Sequence, residues 1–146
     1  MSVTAPGSRG PVVLDTGIFA AELVRSRAGL AETYRPLLEG RPFVISSTTV
    51  AEVRFGAELA RWGTSRRTQL EQRIARSRIV WPGPELVSVY VELRVRCIRS
   101  GHPLGQKNHE ADRWVAATAL WLGVPLVAHD RVFTNLEGLD LLTRLD

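Results

Sequence analysis

The chain has 146 residues, 45% of them apolar, and carries a formal net charge of +4. That length builds one domain with a real core but not two, and the apolar share excludes global disorder. No apolar stretch approaches the roughly 20 residues of a membrane span, and the single cysteine, Cys97, excludes an intrachain disulfide and a thiolate-rich metal site.

The first ten residues, MSVTAPGSRG, are small and polar and lack the apolar centre of a signal peptide. They read as a flexible leader to a domain over residues 11–146, and a cytoplasmic protein is expected. Val12–Leu14 is a short apolar run before a turn, which suits a buried strand. Residues 18–39 read as a helix in two pieces, broken near Ala28 and Gly29, and Gly40 stops it. Residues 42–46 give a second strand, after which Ser47, Thr48 and Thr49 offer N-caps for a helix over residues 50–62. A basic helix follows over residues 65–77. The third strand covers residues 78–81 and is closed by Pro82, Gly83 and Pro84. Residues 85–99 are helical, with Leu86, Val89, Leu93 and Cys97 on one side. Turn chemistry marks residues 100–108 as a loop. The helix over residues 109–122 is apolar on nearly all sides after its first turn and should be buried. Residues 125–128 form a fourth strand, and residues 139–143 supply a possible fifth.

This alternation predicts an α/β fold: one domain, a central parallel sheet of four or five strands, helices on both faces. Right-handed crossovers then place the loops after the strands along one edge. Ligands of such sheets bind in the crevice at the strands' carboxyl ends.

Four acids fall at that edge. Asp15 closes the first strand and Asp130 follows the fourth. Glu52 lies early in the helix after the second strand, and Asp112 lies in the first turn of the buried helix. Each has an ordinary use: Asp15 as a turn or cap residue, Asp112 as a complement to the helix dipole, Glu52 as a surface residue, Asp130 as a turn former. Crowded together, however, carboxylates repel and raise each other's pKa, and a cation relieves that repulsion. Oxygen-only ligands select Mg²⁺ or Mn²⁺ over softer metals. Gly56 and Ala116, one turn after Glu52 and Asp112, are small enough to let those helices approach the sheet closely.

At these residues the chain resembles the PIN-domain ribonucleases, in particular the VapC-type toxins of type II toxin–antitoxin systems. The matching pieces are Val13-Leu14-Asp15-Thr16, the SSTTVAEVRFGA run with Glu52 and Gly56, ADRWVAATAL with Asp112, and LVAHDRVF with Asp130. The resemblance runs from about residue 11 to the end. It implies a Mg²⁺-dependent endoribonuclease, with Mn²⁺ able to substitute, that cuts a structured RNA such as a tRNA or an rRNA loop. It also implies a homodimer held inactive by a cognate antitoxin. Carried over, Asp15, Glu52, Asp112 and Asp130 match the acidic quartet, with Asp15, Asp112 and Asp130 as metal ligands and Thr16 as a supporting hydroxyl. Two positions depart from the family: Gly17 where relatives often carry Ser or Asn, and Ala111 where Asn is common.

Nearly all the cations are arginines. Arg61, Arg66, Arg67, Arg73, Arg76 and Arg78 fall within residues 61–78, beside a single acid, Glu71. They form either a solvated helix face or a phosphate-contacting surface. Arg66, Arg67 and Arg73, with Arg113 and Arg131 beside two of the acids, are the candidate RNA contacts, although Arg113 and Arg131 are equally suited to pairing with a nearby acid. His109 and His129 read as caps or supports of the acids. Trp62, Trp81, Trp114 and Trp121 read as core by default, with a part in partner interfaces as the alternative. A phosphatase forming an aspartyl-phosphate would need a second Asp where Gly17 stands. The alternative from another class is a PIN-like RNA-binding module without activity.

Overall fold

The computed structural model describes residues 9–146. Of the expected leader, residues 1–8 lie outside the described residues, while Arg9 is held to the domain, its N–H donating to Gly40 O at 3.0 Å and its guanidinium to Pro36 O at 2.8 Å.

Five strands form one all-parallel sheet: β1 (Val12–Leu14), β2 (Phe43–Ser46), β3 (Arg78–Val80), β4 (Leu126–Val127) and β5 (Leu141–Leu142). Their spatial order is β3-β2-β1-β4-β5. Six helices cover it: α1 (Thr16–Ala21), α2 (Ala28–Leu38), α3 (Ser47–Leu59), α4 (Thr64–Arg76), α5 (Pro84–Ser100) and α6 (Glu110–Leu122). Side chains alternate across β1 as the pleat requires. Val13 joins a core with Leu86, Leu93 and Cys97 of α5 and Val115 and Ala116 of α6. Val12 and Leu14 join a core on the other face with Ile18 and Phe19 of α1, Tyr34 of α2, Val53 of α3 and Leu70 of α4. Burial on both faces is why β1 is wholly apolar.

Several boundaries move. The break in the first helical stretch falls at residues 22–27, including a 3₁₀ turn at Arg25–Arg27, and Ala28 and Gly29 instead open α2. Glycine is tolerated there because first-turn N–H groups have no partner inside the helix. Helix α3 starts three residues early because Ser46 caps it, its side chain accepting from Thr48 N at 3.2 Å. The loop over residues 100–108 holds two 3₁₀ turns, at Pro103–Gly105 and Lys107–His109. Trp81 is not core but 67% exposed. Gly56 does not draw α3 toward the sheet: it is exposed, and a Cβ added there would touch nothing within 4 Å. Ala116, by contrast, is fully buried.

Candidate metal centre

The strand order reverses beside β1, whose neighbours are β2 on one side and β4 on the other. Such a switch point opens a crevice at the carboxyl ends of those strands. Asp15 sits at its foot, its N–H continuing the ladder with a bond to Val127 O at 3.0 Å. Asp15 occupies the N-cap position of α1, yet its side chain makes no cap hydrogen bond. The carboxylate is therefore not spent on its own turn.

A cavity of about 400 Å³ lies there, lined by Asp15, Thr16, Glu52, Asp112, His129 and Asp130 among others. Thus all four acids, from four separate segments, border one space. Their partners differ. Thr16 Oγ1 donates to Glu52 Oε1 at 2.8 Å, and since it has one proton it accepts from Thr49 Oγ1 at 3.0 Å. Asp112 Oδ2 meets His109 Nδ1 at 2.9 Å. Asp130 does form a turn, Oδ1 accepting from Val132 N at 3.0 Å, which leaves its second oxygen for the cavity.

Asp15 bears the electrostatic cost. Its pKa is pushed from 3.8 to about 7, first by burial and next by the charge of Asp112, with smaller contributions from Asp130 and Glu52. The Thr16 backbone N–H pulls the other way without prevailing. A carboxyl in this position is ionised at neutral pH only in part, and a cation beside it would hold it charged. The donor set is oxygen throughout, which fits a hard divalent ion. Among the described residues no three acids, histidines or cysteines are gathered tightly enough to grip an ion outright. Gly17 leaves room at the rim: a Cβ there would come no closer than 3.9 Å to Asp15 Oδ2, so the Ser or Asn of relatives would fit.

The arginines need correction. Arg113 is 1% exposed and cannot reach a phosphate. Its Nε donates to Tyr90 Oη at 3.1 Å and its Nη1 to Leu104 O at 3.0 Å and to Gln106 O. It holds the Pro103–Gly105 turn against α5, where Gly105 approaches so closely that an added Cβ would lie 2.9 Å from Ile98 N. Residues i and i+1 of a helix stand about 100° apart, so Asp112 facing the cavity turns Arg113 into the core. Arg113→Ala should leave the Leu104 carbonyl and the Tyr90 phenol without their Arg113 partner, while Gln106 O keeps the His109 N–H at 3.1 Å, and cost roughly 3 kcal/mol, seen as a lowered denaturation midpoint. A mainly weakened RNA affinity with unchanged stability would refute the clamp.

Arg73 is also inside, its Nε donating to Phe19 O at 2.8 Å and its Nη1 pairing with Glu22 at 3.1 Å. It ties α4 to α1 and is not an RNA contact. Arg66 and Arg67 are half-buried. Arg66 lies over the Trp62 ring at 4.0 Å and donates to Leu23 O, and Arg67 pairs with Glu58 and donates to Trp62 O. Arg131 is exposed, with one bond to Asp146 O at 3.3 Å. The cation lining the acidic cavity is instead Arg27, which sequence reading passes over because nothing local marks the 3₁₀ turn that carries it.

A second groove, of about 480 Å³, shares Thr16, Arg27 and Glu52 with the acidic cavity and runs on past Gly56, Ala60 and Trp62. The gap that Gly56 leaves is part of that groove.

A family model described as PIN domain matches residues 12–139. No curated protein matches the sequence. Among solved structures the chain is similar to VapBC2 from Rickettsia felis bound to a DNA fragment from its promoter, with a TM-score of 0.74 at 20% identity over 90% of this chain and 97% of that one. It is similar also to VapBC-1 from nontypeable Haemophilus influenzae, with a TM-score of 0.70 at 24% identity over 90% and 96%. VapBC-5 from Mycobacterium tuberculosis, a member of the VapBC family of toxin–antitoxin systems, gives a TM-score of 0.62 at 25% identity over 91% and 96%.

Proposed function

The chain belongs to the PIN domain family, and from that premise we propose that it is a Mg²⁺-dependent endoribonuclease, the cytoplasmic toxin of a toxin–antitoxin pair, acting on a structured RNA such as a tRNA or an rRNA loop. The observation that carries the reading is the meeting of Asp15, Glu52, Asp112 and Asp130 around one cavity at the sheet's switch point. Asp15, Asp112 and Asp130 would hold Mg²⁺ or Mn²⁺. When bound, such an ion supplies an acidified water and neutralises charge on the phosphate. Glu52, fixed by Thr16, is placed to orient the attacking water. Arg27 and Arg131 supply positive charge at and beside the cavity for the RNA backbone. The test is incubation of total RNA with the purified protein, with Mg²⁺, with Mn²⁺ and with a chelator. Cleavage only with metal supports the reading; RNA that is bound but never cut favours an inert RNA-binding module.

The second groove supports a protein partner. It joins an apolar channel to an acidic pocket, a match for an antitoxin segment that carries apolar side chains and a basic one. The three similar solved structures named above carry the VapBC name, and VapBC-5 is a member of a family of toxin–antitoxin systems.

Helix α5 supports a homodimer. Val87, Val91, Val95 and Ile98 recur at three- and four-residue spacing along its outer face and are 39–59% exposed. An antiparallel pairing about a two-fold axis between Val91 and Val95 would set each of those residues against the other. Glu92 and Arg96 flank the stripe one turn apart, and among the described residues neither forms an ion pair. Across that axis Glu92 of one copy faces Arg96 of the other, twice. Val91→Glu should convert a dimer to a folded monomer in sedimentation; a variant that sediments like the wild type refutes this face.

A further inference from the structure

Tyr34 is fully buried in the core on the α2 side of the sheet, and its hydroxyl meets four groups. Arg144 N lies at 2.8 Å, His129 Nδ1 at 2.7 Å, Thr143 Oγ1 at 3.2 Å and Ala128 O at 3.2 Å. The proton count limits their roles. The Arg144 N–H can only donate, so the phenol oxygen accepts there. Thr143 Oγ1 already accepts from Leu145 N at 3.2 Å, and its own proton is available to the phenol. The Arg144 N–H fills one of the phenol's two acceptor sites, and the second takes either the Thr143 hydroxyl proton or an Nδ1–H of His129. With Thr143 donating, the phenol's single proton goes to His129 Nδ1 at 2.7 Å rather than to Ala128 O at 3.2 Å. In that arrangement Nδ1 accepts, and the neutral imidazole carries its proton on Nε2. The Tyr34 ring stands edge-on to the imidazole, with centroids 5.5 Å apart at 82°, which further limits how His129 can turn.

His129 also lines the acidic cavity, and its side-chain hydrogen bond among the described residues is the one to Tyr34. Four of the six other polar side chains there are carboxyl groups, and Arg27 is the one other side chain with N–H donors. A phosphodiester entering the cavity brings more acceptors, so it needs N–H donors beside it. We propose that Tyr34 is a positioning residue that holds His129 in the Nε2–H form, and that this N–H binds a phosphate oxygen of the substrate within the cavity. The substrate part rests on the nuclease reading; the tautomer does not.

The test begins with ¹⁵N-resolved NMR of the histidines in the full chain, well above the ordinary imidazole pKa of about 6.5. Wild-type His129 should show a protonated Nε2 and a bare Nδ1, and Tyr34→Phe should give a mixture of both forms. A proton on Nδ1 in the wild type overturns the assignment, whether or not Tyr34→Phe folds. Dimethyl phosphate, a minimal phosphodiester, should shift the His129 Nε2–H signal in the presence of Mg²⁺; no shift at saturation overturns the contact.

In RNA cleavage, His129→Ala should lose roughly ten- to hundredfold, mostly in KM, as expected for one lost hydrogen bond to a charged group. His129→Gln, whose amide reaches a similar place, should recover part of it. Tyr34→Phe should slow the wild type but add nothing in the His129→Ala background. An equal further loss in both backgrounds would mark general damage and refute the positioning role. If the wild type cuts no RNA, the nuclease reading fails while both NMR measurements still decide the tautomer and the phosphate contact.

Discussion

Asp15→Asn and Asp112→Asn should each slow metal-dependent RNA cleavage by at least roughly a hundred- to a thousandfold, the scale on which removing one preorganised electrostatic group acts. Asp15 should be the more severe of the two. It ends the central strand β1, and its pKa near 7 records both its burial and the charges of Asp112, Asp130 and Glu52 around it. Asparagine keeps the size and removes the charge, so a folded variant isolates the electrostatic role. Calorimetric titration with Mn²⁺ should show weakened binding in both variants. If either variant cuts as fast as wild type, the four-carboxylate site is not the centre of the chemistry.

Without metal, stability should fall as pH rises from about 4 to about 7, and Asp15 is the cause. Its ordinary pKa of 3.8 describes the unfolded chain, while the folded chain holds the proton up to about 7. Between those values the folded state binds a proton that the unfolded state has released, so each rise in pH favours unfolding. At about 1.4 kcal/mol per unit, the full loss from 3.8 to about 7 is somewhat over 4 kcal/mol and is complete above pH 7. Asp15→Asn has no such proton and should unfold at a temperature several degrees above wild type at alkaline pH, despite being inactive. Mg²⁺ should recover much of that difference for the wild type and little for the variant, because only the folded site binds it. Thermal denaturation in chelator from pH 4 to pH 8 measures this. Parallel curves for wild type and Asp15→Asn would show that the crowding of acids carries no cost.

The two results have one origin. Acids that a fold places together at some cost in stability are set for a cation, and the same repulsion that weakens the empty pocket would strengthen metal binding.

Local features of the chain were enough to place the strands within a residue or two. Val12 to Leu14, the run into Ser46, and the stretch around Leu126 are apolar and bounded by turn residues, and the helices between them carry their own periods. Parallel pairing followed from that alternation, and strand-end positions marked Asp15 and Asp130. Where side chains point is a different matter. Arg113 looked like a neighbour of the site because it adjoins Asp112 in sequence, but the helix turns it under the Pro103–Gly105 turn. Its burial had one local signal, a helix apolar on nearly every side. Arg73 carried none, since its partners Phe19 and Glu22 lie more than fifty residues away. Gly56, small and one turn after Glu52, suggests close packing from its sequence position but is a gap in a groove.

By itself the sequence determined which segments become strands and helices, and that four acids follow strands or open helices, Glu52 in the second turn of its helix, because hydrophobic period and turn chemistry act over a few residues. Only the tertiary structure decided that β1 lies between β2 and β4, and so brings Asp15 beside His129 and Asp130. It likewise decided that Arg27 lines the cavity while Arg113 does not, and that Tyr34 reaches across to the imidazole. Those outcomes depend on strand order and on contacts between residues far apart in the chain, which no short window of sequence contains.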